Sequence, residues 1–320
     1  MADAYTGVGQ SLTDQTAYDL RMFYALRSEL YYDGVASVQA TNQCMNGAVV
    51  TFTLQDDLAL ASTALSSESS DVSAVAMSDS QVALTLAEYG NAVITTAKLR
   101  GTSFIPFDPV VANVIGYNAG ASIDEVASIA LRAGTNVRFG SGGATLPTSR
   151  ATVEPTDTLT GNDVRRATAE LRAANVMPLG GYFQGFIHPD VSYDFRGATG
   201  TSNWRDPHTY SSPDGIFNGE IGAFEGVRFI ETPRAPRFAD AGSSTTLTDV
   251  YATLIVGQEA SAKAYSYIDG NGPFPSIVPG PVTDKLRRLV PMGWFWLGAY
   301  GRFREAAIRR IESASSIGSN

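Results

Sequence analysis

Alternating apolar and polar positions predict a long hairpin in the first third of the chain. The alternation covers two segments, Val50–Leu54 and Val82–Leu86, and it is the pattern of half-buried strands. Between them lies a tract rich in Ser, Ala and Asp, from Asp56 to Asp71. The apolar content is too small for a separate core, so we expect this hairpin to lie on another surface.

The clearest helical pattern follows Asp108 and predicts a helix of about 25 residues. Its apolar positions are Val110, Val111, Val114, Ile115, Ile123, Val126, Ile129 and Ala130. Asp108 suits the N-cap, Pro109 the first turn and Gly134 the end of such a helix. Gly116 and Gly120 lie inside it, where we expect a bend or a close approach of another backbone.

Two further helices are predicted from the same spacing. One begins at Asp19 and would dock a polar arm, residues 1–18, onto a partner surface. The other begins at Thr160, carries Asp163 three residues later, and ends before Pro178.

The second half of the chain is dominated by predicted strands. The first lies within 136–146, which also holds a Gly-rich turn closed by Pro147, and the others fall at 182–187, 219–231, 249–257 and 292–299. The 249–257 run is almost continuously apolar, which is typical of a buried central strand. Residues 196–219 predict a loop, and Arg302–Ile311 predicts an amphipathic segment. Helices and strands follow no fixed alternation, so the predicted fold class is α+β and not a doubly wound sheet.

Composition narrows the possible classes of protein. The chain has 320 residues, of which 17% are charged, and a formal net charge of -9. So low a charged fraction indicates a surface partly covered by neighbouring subunits, and the acidic balance argues against general nucleic-acid binding. No apolar stretch approaches the roughly 18 residues of a membrane span. The opening MADAYTGVGQ lacks the basic flank and apolar core of a signal peptide.

Few side chains are available for nucleophilic or metal chemistry. His188 precedes Pro189 at a predicted strand end and His208 lies in a loop, with no short spacing such as HExxH between them. We therefore favour structural hydrogen bonding by both histidines over catalysis or metal binding. Cys44 has no CxxC partner and no basic neighbour, which favours a buried thiol over a nucleophile.

A glycine cluster could form a phosphate cradle and three glutamates could form a glycosidase site, but the neighbouring residues support neither. Gly140–Gly143 is not followed by Lys-Ser/Thr and fits no Gly-x-Ser-x-Gly elbow, so a flexible turn is favoured over a phosphate cradle. Glu220, Glu225 and Glu231 lie along one predicted strand. Charges on a sheet edge explain them more simply than a glycosidase pair does.

The last candidate binding residues are the aromatic and arginine side chains near the C-terminus. Alternation in Trp294–Trp296 favours contacts with a core and a neighbour over a ligand platform. Four arginines follow, Arg302, Arg304, Arg309 and Arg310. A solvated helix face or pairing between subunits is favoured over nucleic-acid contact because the total charge is acidic. The sequence thus predicts no catalytic residue, no cofactor and no metal ligand.

Four motifs, in this order along the chain, carry a resemblance to a known family. They are Tyr182–Asp190, Gly219–Glu231 (GEIGAFEGVRFIE), Asp249–Gly257 and Gly293–Ala299. With the preceding arm, hairpin and long helix, they resemble the major capsid proteins of tailed phages with the Hong Kong 97-type fold. The branch typified by the coat protein of phage N-four is the most similar.

The resemblance implies a division of the chain into five segments. These are an N-arm at 1–46, an E-loop hairpin at 47–95, a peripheral domain with the spine helix at 96–150, an axial domain at 151–285, and a return to the peripheral domain at 286–320.

The same resemblance implies a non-catalytic coat protein. It would assemble with itself into the hexamers and pentamers of an icosahedral shell and enclose double-stranded DNA, contacted non-specifically. A scaffold, a portal and a cementing or decoration protein would be further partners, with no membrane. Assembly would take place in the host cytoplasm and the product would be part of the virion.

One departure from the family concerns covalent crosslinks, which some members form between a Lys of the E-loop and an Asn of a neighbour. This chain has no lysine between Asn46 and Lys98, so we expect non-covalent contacts instead. We also find no charged helical scaffold segment before the arm for a prohead protease to remove.

Two alternatives stay open from the sequence. An encapsulin-type compartment shell shares the fold but encloses enzymes, and DNA content would separate it from a capsid. A soluble hydrolase using His188 or the glutamates would be separated from both by particle size.

Overall fold

The structure is a computed structural model. It describes residues 30–36, 38–39, 48–62, 64, 71–72, 74–103, 107–197, 220–245, 247–266, 272–281, 284–286 and 288–317. Two expectations fall outside these residues: the arm helix beginning at Asp19, and the 196–219 loop from residue 198 onward.

The described residues form four α-helices and fourteen strands. The helices are α1 (Ala97–Thr102), α2 (Phe107–Arg132), α3 (Gly161–Ala173) and α4 (Pro189–Gly197). The strands are β1 (Val38–Gln39), β2 (Val49–Gln55), β3 (Asp79–Thr85), β4 (Ala87–Thr96), β5 (Val137–Phe139), β6 (Phe183–Ile187), β7 (Glu220–Phe224), β8 (Val227–Glu231), β9 (Arg237–Phe238), β10 (Val250–Val256), β11 (Ser261–Tyr265), β12 (Ser276–Pro279), β13 (Leu289–Arg302) and β14 (Ile308–Ser313).

These strands build two large sheets and one hairpin. The first sheet has the order β1-β11-β13-β12, with β4 also paired to β13. The second sheet has the order β5-β14-β10-β6-β8-β7, with β9 also paired to β10. Strands β2 and β3 pair only with each other. The mixture of helices and sheets confirms the predicted α+β class.

The predicted hairpin is confirmed, with antiparallel pairing from Val49↔Thr85 to Gln55↔Asp79. Its base packs on the first sheet, where Val50 and Leu84 join a small buried cluster with alanines of β11 and β13. The base therefore has support within its own chain, which the sequence did not predict.

Helix α2 follows the predicted long helix but starts earlier. It begins at Phe107, so the prediction of Asp108 as the cap is wrong, and Asp108 lies in the first turn. Its buried face is Val111, Ile115, Ala119, Ile123, Ala127 and Leu131. The backbone approach expected at the glycines is not found among the described residues: an added Cβ at Gly120 would lie 2.8 Å from Leu30 Cδ1, a side-chain atom, and one at Gly116 would meet nothing within 4 Å.

Three of the elements predicted for the second half of the chain are confirmed. Helix α3 has Thr160 as its N-cap, and Thr160 and Asp163 form a capping box. Strand β6 occupies the predicted segment, and all seven residues of β10 are buried. Strand β10 lies between β14 and β6, at the centre of the second sheet.

The single strand predicted over 219–231 is wrong. The segment forms the antiparallel pair β7–β8, reversing at Glu225 and Gly226 with φ values of 51° and 83°. Positive φ is costly for most side chains and free for glycine, so a two-residue turn forms where Glu-Gly interrupts the apolar pattern.

The solvated helix face predicted for the terminal arginines is also wrong. Strand β13 continues to Arg302, a short 3-10 turn covers Glu305–Ala307, and β14 follows. Every residue of β14 is buried except Arg309, which is intermediate. The spacing of Ile308 and Ile311 imitates a helix period, although the segment is an interior strand.

Membership of the two sheets does not follow chain order. Strands β11 and β12, within 151–285, belong to the first sheet, whereas β14, within 286–320, belongs to the second. The chain therefore crosses from one sheet to the other more than once.

Candidate assembly surface

The tip of the hairpin is a large surface without cover in the isolated chain. We call the segment Asp56–Ser78, between β2 and β3, the hairpin tip. Every described residue in it is exposed, and Leu60 is 93% exposed. The exposed large apolar side chains of the tip, among the residues that the structure describes, are Leu58, Leu60, Val72, Val75 and Met77. So many apolar groups on one protrusion are typical of a protein interface.

The charge of the hairpin also has one sign. Residues 47–97 contain no Lys or Arg. They contain six carboxylates, Asp56, Asp57, Glu68, Asp71, Asp79 and Glu88. A surface that receives this hairpin should therefore offer positive charge together with apolar area.

Buried polar contacts fix the point where the N-terminal segment enters the fold. Asp124 on α2 is buried and accepts the backbone N–H of Tyr32 at 2.7 Å. Its other oxygen accepts the Nε–H of Arg234 at 3.2 Å. The pKa of the Asp124 carboxyl is raised overall, because burial raises it by more than the N–H of Tyr32 and the charge of Arg234 lower it. One carboxylate thus joins three separate parts of the chain.

A second polar contact, between a buried lysine and a partly exposed carboxylate, lies beside the first. Lys263 of β11 is 2% exposed, and its Nζ lies 2.7 Å from Asp33 Oδ1. The hydroxyl of Tyr300 donates to the same oxygen. Aromatic rings surround the ammonium, with the ring centroid of Phe274 at 5.3 Å. The sequence reasoning missed this pair, although a lysine in the strand Ser261–Tyr265 is a visible anomaly.

His188 caps a helix. It precedes α4, and its Nδ1 accepts the N–H of Asp190 at 3.2 Å. Its ring packs on Tyr251 with centroids 4.8 Å apart. Burial lowers the pKa of His188 despite the nearby Asp190 carboxylate. Burial and a hydrogen bond from Tyr251 to Asp190 raise the pKa of Tyr251 to about 12.

We expect acid to destabilise the fold partly through His188. A histidine whose folded pKa is lowered contributes stability that is present above about pH 6.5 and lost as pH falls through the folded value. In His188→Asn the amide oxygen keeps the cap without titrating. Urea unfolding of both proteins should agree at pH 8 and diverge below pH 6.5, with the wild type losing more stability. Parallel curves would contradict this prediction.

The remaining candidates from the sequence do not meet in one site. Cys44 and His208 lie outside the described residues. Within the described part of the chain, no cluster of three or more His, Cys, Asp or Glu side chains could hold a metal. None of the described helices combines the length and apolarity needed to cross a membrane.

The glycine cluster is packed tightly and is not the flexible turn expected. The N–H of Gly142 donates to the carbonyl of Thr158 at 3.1 Å, and an added Cβ at Gly140 would lie 2.6 Å from the carbonyl of Asp157. Asp163 accepts the N–H of Ser141 at 3.0 Å. That carboxylate takes a backbone donor that a phosphate cradle would need.

The glutamates are separated by strand β8. Glu225 at its turn lies 2.8 Å from an Arg165 nitrogen. Glu231 at its far end accepts the hydroxyl of Ser192 at 2.8 Å. Glu220 begins β7 and pairs in register with Ile230. Glu225 and Glu231 thus sit at opposite ends of one strand, unlike the facing carboxyls of a glycosidase.

Both tryptophans of β13 lie in the core, and Trp294 joins the first sheet to α2. Trp294 is 5% exposed and Trp296 is fully buried. Trp294 Nε1–H donates to Asn118 Oδ1 of α2 at 2.9 Å, and Trp296 Nε1–H donates to the carbonyl of Gly272 at 3.2 Å. Phe295 between them is only partly buried.

The terminal arginines pair within the chain. Arg310 Nε lies 2.9 Å from Glu312 Oε1, and Arg302 Nε lies 3.1 Å from Glu305 Oε2. Arg304 Nη2–H donates to the carbonyl of Ala174 at 3.2 Å.

Comparison with a protein-family model gives a match over nearly the whole chain. The model is described as "Phage capsid protein" and matches residues 11–317. A search of curated proteins finds no match.

Solved structures give the same indication for the fold. The capsid of Ralstonia phage GP4 has a TM-score of 0.72 and 13% identity, covering 100% of this chain and 98% of that one. The capsid of cyanophage P-SCSP1u has a TM-score of 0.70 and 14% identity, covering 98% and 97%. The capsid of Helicobacter pylori bacteriophage KHP30 has a TM-score of 0.71 and 9% identity, covering 98% and 99%. At such identities the likeness establishes the fold.

Proposed function

Because the chain belongs to the phage capsid protein family, we propose that its subunits join into hexamers and pentamers through non-covalent contacts of the hairpin tip. The protein is a major capsid protein, a structural component of the phage shell. The observation that carries the proposal is the hairpin tip, which is exposed at every described residue. Its apolar side chains would be buried on a neighbouring subunit.

The five segments of the chain would divide the work of assembly. The N-arm at 1–46 and the E-loop at 47–95 reach neighbours. The segments 96–150 and 286–320 form the peripheral domain, and 151–285 forms the axial domain near the symmetry axes. The shell would enclose double-stranded DNA, and its acidic total charge of -9 favours weak, non-specific DNA contact. A scaffold, a portal and a cementing protein would complete a particle assembled in the host cytoplasm.

The chemistry of lysine supports non-covalent contacts. The hairpin has no lysine, and Lys263 is buried against Asp33. The other two lysines, Lys98 and Lys285, are exposed but lie outside the hairpin. No amine of the hairpin tip is therefore available to form an amide bond with a neighbouring subunit.

Two measurements on the purified full chain test this proposal. Size-exclusion chromatography with negative-stain microscopy should detect hexamers, pentamers or closed shells. A denaturing gel of the particles should give one band at 33.9 kDa. A ladder of multimers would contradict non-covalent assembly, and a persistent monomer, even with crowding agents, would contradict self-assembly through this chain alone.

A further inference from the structure

A polar pocket of about 530 Å³ opens beside the second sheet. It lies between the loop that follows α2, the edge strand β5 and the C-terminal end of α3. Its lining residues are Thr135, Asn136, Val137, Arg138, Glu170, Ala173, Ala174 and Arg309. The pocket combines small apolar side chains with charged groups at one edge of the sheet.

The charge of this pocket is positive. Glu170 is the only carboxylate among its lining residues, and three guanidinium groups share it. Arg138 pairs with Glu170, Arg309 Nε lies 3.3 Å from it, and Arg166 Nε lies 3.8 Å from it. Of the three, only Arg138 and Arg309 line the pocket, so its lining carries two cations against one anion, an excess of one positive charge. Each guanidinium carries five N–H donors, more than the oxygens of one carboxylate accept.

The geometry suits a carboxylate ligand. The Arg309 side chain is only 12% exposed and its position is fixed, whereas that of Arg138 is 45% exposed. Arg138 uses Nε and Nη2 on Glu170, and Arg309 uses Nη1 on the carbonyls of Ala306 and Ile308. Within the described residues, Nη1 of Arg138 and Nη2 of Arg309 are left as charged donors for a second carboxylate. Ala173 and Ala174 add apolar area next to these donors.

The hairpin tip carries the complementary chemistry. Asp56 and Asp57 begin the tip, both are exposed, and Leu58 and Leu60 follow. No lysine or arginine in 47–97 offsets their charge. The tip thus presents two carboxylates beside apolar side chains, and the pocket presents arginines beside alanines.

We propose that the Asp56–Asp57 segment of one subunit binds the arginine pocket, centred on Arg138 and Arg309, of a neighbouring copy of this chain. The proposal rests on the proposed function, since it names the surface that receives the hairpin during assembly. It assigns the pocket to protein–protein contact and not to packaged DNA.

A charge swap tests the contact directly. Asp57→Arg alone and Arg138→Glu alone should each weaken subunit association about tenfold or more. The double variant should recover most of this loss, because the reversed charges attract again. Arg165→Glu is the matched control, since Arg165 of α3 is as exposed as Arg138 (47% against 45%) and is likewise paired with a glutamate, but that glutamate is Glu225, outside the pocket. Thermal unfolding of each variant checks that the subunit is intact.

Additive losses in the double variant would overturn the proposal, as would an equal loss in the Arg165→Glu control. A third outcome would assign the pocket to DNA. In that case Arg138→Glu particles would assemble normally but retain less DNA, and the proposal would be wrong.

A disulfide test separates this inference from the proposed function. In a Cys44→Ala background, Asp57→Cys with Arg138→Cys should give disulfide-linked multimers on a non-reducing gel of oxidised particles. Each single cysteine variant is the control and should give at most a dimer. Absence of particles for the wild type would count against the proposed function. Normal particles without multimers in the double cysteine variant would count against the pocket alone.

Discussion

Removing the hairpin tip is expected to abolish assembly while leaving a folded subunit. Gln55 and Asp79 are the last registered pair of β2 and β3, so an Asn-Gly turn can join them in place of residues 56–78. Among the described residues, the deletion removes five large apolar side chains that are exposed. Burying even two of them on a neighbour gives about 3 kcal/mol, so association should weaken by at least ~100-fold.

The measurement is particle yield by sedimentation, compared with thermal unfolding of the soluble subunit. The buried base of the hairpin, with Val50 and Leu84, remains in the shortened chain. The melting temperature of the shortened subunit should therefore match that of the wild type. Normal shells from the shortened protein would show that the tip does not hold neighbouring subunits together.

Asp124→Ala is expected to lower the free energy of unfolding by about 3–5 kcal/mol, the loss typical of a broken buried ion pair. The side chain is 2% exposed and pairs with Arg234. Alanine would also leave the backbone N–H of Tyr32 without its acceptor, and an unsatisfied buried donor is itself costly. The N-terminal segment would be the first part of the chain to detach.

Glu125→Ala is the matched control for this loss. Glu125 is the next residue of the same helix, 45% exposed, and its oxygens lie 3.5 Å from Arg132 and 3.9 Å from Arg234. Exposed pairs of this kind contribute about 1 kcal/mol at most. Urea unfolding of the soluble subunit should separate the two variants clearly. Equal losses would mean that burial of Asp124 has no special weight.

The elements set by local chemistry could be predicted from the sequence. Alternation predicted the hairpin, and the pair Thr160 and Asp163 predicted the start of α3, because a capping box needs only residues three apart. The continuous apolar run predicted β10, since only a strand covered on both faces tolerates one. Each of these signals is contained within a few neighbouring positions.

The errors arise where tertiary contacts decide. Val114 and Ile129 of α2 were placed on its apolar face, yet both are 46% exposed, while Ala119 and Ala127 are buried. A helix pattern indicates which residues are apolar but not which side the sheet covers. Likewise, β14 resembles an amphipathic helix until its neighbours β5 and β10 are known.

The arginine pocket and the Lys263–Asp33 pair could not have been found in this way. Their members are far apart in the chain, with 230 positions separating Lys263 from Asp33. The isolated sequence indicates an excess of arginine over lysine. It does not indicate which of the arginines share one carboxylate.

The crossing of the chain between its two sheets has a consequence for synthesis on the ribosome. Strand β13 is needed to join β4 to β11, and β14 is needed to join β5 to β10. Neither strand exists until the ribosome has translated beyond residue 302, or 313 for the second sheet. Nascent chains therefore expose the hairpin before its support is present, which leaves unpaired strand edges during translation. Folding must finish after most of the chain has emerged, and this delays the moment at which one polysome-bound subunit can engage another.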